Sequence, residues 1–170
     1  MNKNAREISL LGVFAALYVA LCFVTPSFGV FQFRVAETLI VLVFYNKKYS
    51  AAIILGTFIA NLFGEIGIID AVLGSAASAI VCLIIILAKR KAVIPPAAGI
   101  INGIIIGAML YALEIIPDMG IIAVMGAVAL SVFIVTLIGV ILFAGLEKTS
   151  PKFISMIKTM SSDSRNDLNL

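Results

Sequence analysis

The chain contains no histidine. That removes the commonest general base, histidine-based triads and the usual zinc ligand sets. Cysteine is nearly as scarce: Cys22 and Cys82 stand alone in apolar runs, where a thiol acts as a small hydrophobe. Two isolated cysteines give neither a disulfide framework nor a metal spacing. No Gly-x-x-x-x-Gly-Lys-Ser/Thr loop occurs, so the chain carries no phosphate cradle for nucleotide hydrolysis. No basic block is interleaved with aromatics, which leaves nucleic acid without a binding surface.

Charge is the other shortage. Charged residues make up 12% of the 170 residues against 62% hydrophobic, with a mean hydropathy of +1.20. A soluble domain carries roughly 25% charged residues. About 20 apolar residues cross a bilayer core as a helix. At that length the chain holds six spans joined by short loops. The first runs from Ile8 to Val24 and is too long for the core of a cleaved signal peptide. Arg34 to Tyr45 is short for a full crossing. Tyr49 to Phe63 and Ile68 to Ala88 follow, then a fifth span that starts near Pro95-Pro96 and continues to Ile116. Ile121 to Leu146 is the sixth.

Six spans place the amino terminus, Lys47-Lys48, Lys89-Arg90-Lys91 and the carboxyl tail on one side. The positive-inside rule makes that side cytoplasmic. The expected architecture is therefore an all-α integral membrane protein, a compact bundle of six transmembrane helices with both termini cytoplasmic. Residues 1–150 form its single domain. Residues 151–170 form a cytoplasmic tail, a short interfacial helix and then a polar, disordered end. No internal repeat is detectable.

On the opposite side lies a polar group. Gln32, Arg34 and Glu37 precede or enter the second span; Asn61, Glu65 and Asp70 surround the break between the third and fourth. Glu114 sits at the outer end of the fifth beside Tyr111, and Asp118 follows in a loop. Ionisable groups at membrane depth cost from about 2.5 kcal/mol upward, so they need partners. Arg34 and Glu37 at i, i+3 could pair with each other and only permit insertion. The alternative is a polar site for a solute at the outer edge. Asp70 could cap the fourth helix or serve that site. Glu65 and Asp118 read as solvated loop residues. Asn61 is a better ligand candidate than Asn102, because it lies near the outer end. Carboxylates, one guanidinium and amides, flanked by Phe28, Phe31, Phe33 and Tyr111, suit a planar heterocycle rich in N–H donors.

Small residues recur every fourth position in three spans: Gly12, Ala16 and Ala20; Gly56, Ala60 and Gly64; Gly99, Gly103 and Gly107. Such faces let helix backbones approach closely. In the third and fifth spans the reading is packing inside the bundle. In the first, docking onto another subunit is an equal alternative.

Six short spans, the Ala16-Leu-Tyr-Val-Ala20 pattern and the missing nucleotide motif resemble the substrate-binding S components of energy-coupling factor (ECF) transporters. More narrowly, Phe31-Gln-Phe-Arg-Val-Ala-Glu-Thr-Leu39 and Ala60-Asn-Leu-Phe63, followed by Gly67, Asp70 and Gly74, resemble the QueT family. The likeness covers about Ile8 to Leu146. Glu65 departs from it, standing where a small neutral or turn residue is expected. The resemblance implies a bacterial plasma-membrane importer subunit, not an enzyme, without a cofactor or metal of its own. Its substrate would be a deazaguanine queuosine precursor. One carboxylate would accept the paired ring and amino N–H groups, and Arg34, Gln32 or Asn61 would donate to the carbonyl. The expected substrate-binding set, taken from the polar group, is Gln32, Arg34, Glu37, Asn61, Asp70, Tyr111 and Glu114. The implied docking strip is Gly12, Ala16 and Ala20, facing a transmembrane T component that works with two ATPase subunits. The alternatives are an S component for another vitamin or base, or a self-sufficient proton-coupled carrier.

Overall fold

A computed structural model describes residues 3–24 and 33–158. Gln32, Phe28, Phe31 and the polar end of the tail lie outside the described residues. Helices account for every regular element among those described. They are α1 (Lys3–Val24), a 3-10 segment (Val35–Val41) running into α2 (Leu42–Tyr45), α3 (Tyr49–Leu62), α4 (Ile68–Ala88), a short 3-10 turn (Lys91–Val93) leading into α5 (Ile94–Ala112), α6 (Ile121–Thr149) and α7 (Pro151–Lys158).

Among the described residues, four stretches are long and apolar enough to cross a membrane: Glu7–Val24, Ile68–Ala88, Lys91–Ala112 and Ile121–Thr149. The two others, Val35–Tyr45 and Tyr49–Leu62, are apolar but shorter. At 14 residues, α3 rises roughly 21 Å, short of the ~30 Å hydrocarbon core. The fifth helix also stops earlier than its apolar sequence suggests. It ends at Ala112, and Glu114 adopts a left-handed φ of 53° in the turn beyond.

Much of the segment 35–45 is enclosed by protein. Ala36, Ile40, Val41, Leu42 and Val43 are each no more than 2% exposed. It presses on α6 so closely that a Cβ at Gly139 would lie 2.9 Å from Thr38 Cα. A segment wrapped in protein rather than lipid need not span the full bilayer, and irregular backbone is tolerated there.

The small-residue stripes separate into two kinds. Along α5, Gly103 and Gly107 lie against α6: a Cβ at Gly103 would meet Ala129 Cβ at 2.7 Å, and one at Gly107 would meet Met125 Cα at 2.6 Å. This is internal packing, as expected from the sequence. On α3, Gly56 and Ala60 are likewise turned inward. The stripe on α1 is different. Gly12, Ala16 and Ala20 are all exposed, while Ala15 and Tyr18 on the other face are buried. A Cβ at Gly12 would have no neighbour within 4 Å.

Lys48, Lys91 and Lys158 collect at one end, the last two over the Tyr45 ring. Lys48 Nζ pairs with Glu7 Oε2 at 2.7 Å, and Lys91 Nζ with Glu147 Oε2 at 2.5 Å. Asn46 Nδ2 donates to the Lys158 carbonyl at 3.4 Å. Ile154 and Ile157 anchor α7 in the core at the same end.

The α5–α6 contact yields a direct test. Gly107→Ala forces a methyl against Met125 backbone, and overpacking of this kind costs about 1–3 kcal/mol. Thermal unfolding in detergent, followed by circular dichroism, is expected to show a clear drop. Gly126→Ala, with open space around the new methyl, is expected to leave the midpoint unchanged or raise it.

Candidate functional site: a polar recess between short helices

Because α3 and the 3-10 segment are short, their ends sit below those of the longer helices, and polar groups gather in the gap. Arg34 caps the 3-10 segment, Asn61 lies on the last turn of α3, and Asp70 lies on the first turn of α4. Arg34 Nη1 donates to Asn61 Oδ1. Arg34 Nη2 reaches Asp70 Oδ2 at 3.4 Å, with the two side chains 19% and 8% exposed. Asn61 Nδ2 donates to the Asp70 carbonyl at 3.1 Å. The Asn61 amide thus clamps the arginine with one end and the α4 backbone with the other.

This clamp explains Gly74. A Cβ there would fall 2.3 Å from Asn61 Nδ2, so any side chain would push the amide out of place. The capping alternative for Asp70 does not hold: Gly67 occupies the cap position, with a φ of 69°. Asp70 instead turns its carboxylate to Arg34. A carboxylate in the first helical turn is also favoured by the helix dipole.

Glu37 is 6% exposed and accepts a hydrogen bond from Tyr18 Oη at 2.7 Å. Arg34 and Glu37 therefore make their named side-chain contacts with different elements, α4 and α3 for one and α1 for the other. Both line a small cavity of about 20 Å³, together with Asn61, Asp70, Thr57, Ser78 and Asn102. That volume is room for about one water. Above it opens a cleft of about 570 Å³, shared by Arg34, Asn61, Asp70 and Glu65, with Cys22, Phe63, Ile69 and Met109 among its apolar walls. A few convergent polar groups at the floor of a largely apolar cleft of this size are what a small-molecule site requires.

Tyr111 and Glu114 are placed apart from this floor. Both are exposed at the end of α5, where the early stop of the helix turns them outward, and neither borders the cleft or the small cavity. Three residues of the recess were not singled out from sequence. Tyr18 is hidden in the small-residue helix, on the face opposite the stripe. Thr57 and Ser78, whose hydroxyls lie 3.2 Å apart, sit one turn below Asn61 and Gly74. That i, i+4 spacing of polar groups within apolar helices was the available signal.

A sequence model of the QueT transporter family matches residues 8–148. The chain belongs to the QueT transporter family. The match takes in α1 through nearly all of α6 and every residue of the recess. A curated relative, the queuosine precursor transporter QueT of Lactococcus lactis subsp. cremoris, is 40% identical over 65 residues. That alignment covers 35% of this chain and 38% of the relative, well under two thirds of the relative's length. No solved structure matches the chain. QueT membership sets the chain among transporters rather than enzymes. With its four long apolar helices it is a multi-pass protein of the plasma membrane.

The Arg34–Asp70 contact can be tested by its removal. Asp70→Ala strips the guanidinium of its carboxylate, and breaking a buried pair from one side costs about 3–5 kcal/mol. The 19% exposure of Arg34 reduces that figure, so a loss of about 2 kcal/mol is expected in detergent unfolding. The double variant Arg34→Met, Asp70→Leu should recover most of it, because no uncompensated charge remains.

Proposed function

We propose that this chain is the substrate-binding S component of an ATP-driven ECF-type importer, and that it binds a deazaguanine queuosine precursor from the extracellular side. In this reading, six spans and cytoplasmic termini follow from charge placement. The gathering of the 46–48 turn, Lys91 and α7 at one end supports that orientation. Residues 1–150 form the transmembrane domain, and α7 lies at the cytoplasmic interface. The observation that carries the substrate claim is the recess itself: Arg34 and Asp70 border both the cleft and the small cavity beside it, and Glu37 joins them at that small cavity.

The chemistry matches group by group. Arg34 is a donor for the ring carbonyl. Glu37 or Asp70 accepts the paired ring N–H and exocyclic amine, which one carboxylate can take together. Asn61 orients its neighbours, since both ends of its amide already have protein partners. The curated Lactococcus relative bears the name queuosine precursor transporter, which supports the same substrate class.

Purified chain, without ATPase subunits, is expected to be stabilised thermally by an aminomethyl deazaguanine. A ligand at a hundred times its Kd contributes about 2.7 kcal/mol. Equal stabilisation by guanine, thiamine and riboflavin would count against the substrate assignment. Glu37→Gln should weaken binding about ten- to a hundredfold, the scale of a lost charged hydrogen bond. Glu65→Gln, at an exposed turn, should do much less. A larger loss for Glu65→Gln would move the site to the wrong side of the cleft.

The exposed strip Gly12, Ala16 and Ala20 supports docking to a T component. Ala16→Trp would hold partner helices apart along that strip. It is expected to leave melting temperature and ligand affinity of the isolated chain near normal while abolishing co-purification with the partner subunits and ATP-dependent uptake. Loss of stability and affinity together would instead place the strip inside this chain's own packing.

A further inference from the structure

Glu37 reaches the recess from a segment that α1 packs against, and a buried hydrogen bond ties its carboxylate to that helix. Tyr18 is 0% exposed and its hydroxyl lies 2.7 Å from Glu37 Oε1. Nothing in packing requires that hydroxyl: the ring alone would fill the space beside Gly56, where a Cβ would come within 3.0 Å of Tyr18 Cβ and Cδ1. An oxygen so deep is retained only if it has a partner, because burying an unpaired hydroxyl is costly. Its partners are the Thr57 side chain and the Glu37 carboxylate, which lines the cavity with Arg34, Asn61 and Asp70.

We propose that Tyr18 is a positioning residue of the binding site, holding one oxygen of Glu37 so that the carboxylate presents a fixed face to the ligand's N–H donors. This rests on the reading of the recess as a deazaguanine site. A glutamate has three rotatable side-chain bonds, and freezing them before the ligand arrives removes that cost from binding. Tyr18 stands opposite the Gly12, Ala16, Ala20 strip on α1, so the strip and the ligand-binding carboxylate are joined through one side chain.

The test is a double-mutant cycle on affinity for an aminomethyl deazaguanine, using full-length chain in detergent. Tyr18→Phe, which keeps the ring, is expected to weaken binding about tenfold in the wild-type background. In a Glu37→Gln background the same change should cost less than about twofold, because the positioned group is already lost. Gly56→Ala, which displaces the Tyr18 ring from behind, should show the same dependence on Glu37. It serves if Tyr18→Phe does not fold. Equal losses in both backgrounds would reduce Tyr18 to a packing residue and overturn the inference. Failure of the wild-type chain to bind the probe would instead overturn the substrate assignment on which it rests.

Discussion

One guanidinium at membrane depth governs this structure. Arg34 is 19% exposed in a chain whose other apolar elements are built for lipid, and a lone arginine there carries a penalty of several kcal/mol. Asp70 offsets its charge, and Asn61 fixes its geometry. Each of these depends on something further away. The Asn61 amide can lie where it does only because Gly74 has no side chain. Asp70 faces Arg34 only because α4 begins after the turn at Gly67. A polar cluster in the membrane is stable when all its members are satisfied together, which makes it a cooperative unit rather than a collection of contacts.

Short helices are the second half of that arrangement. Had α3 been 20 residues long instead of 14, apolar side chains would occupy the space above Asn61. The truncation produces a recess whose walls come from the longer neighbours and whose floor is polar. The 3-10 segment can afford its irregular backbone because α1, α3 and α6 enclose it. The α5–α6 pair, locked through Gly103 and Gly107 against Met125 and Ala129, supplies a stiff wall for the same recess.

Much of this was legible in the residue order. The limits of α4 and the start of α6 follow directly from Gly67, Lys89 and the Pro117 turn, because apolar runs end abruptly there. The polar cluster around Arg34, Glu37, Asn61 and Asp70 stood out because apolar sequence surrounds it. What the order of residues does not encode is which carboxylate meets the arginine. Arg34 and Glu37 are three apart, a helical spacing that suggests a local pair, yet Arg34 joins Asp70 across 36 residues of sequence. Tyr111 and Glu114 lie away from the recess for a related reason: hydropathy continues past Ala112, but the left-handed turn at Glu114 ends α5 first. Tyr18 was invisible because a tyrosine among alanines looks like ordinary packing until its hydroxyl is seen beside a carboxylate.

The polar recess has a floor, and what lies beneath it is apolar. Below Thr57 and Ser78 the interior passes to Tyr49, Ile53, Val81, Ile85, Ile94, Ile154 and Ile157, all buried and packed into one cluster. Among the described residues this cluster lies between the recess and the basic end and closes the recess like a stopper. Such a chain is shaped as a cup rather than a pipe. Emptying a cup on its far side calls for tipping the vessel or breaking its base, and breaking this base would expose that buried apolar cluster.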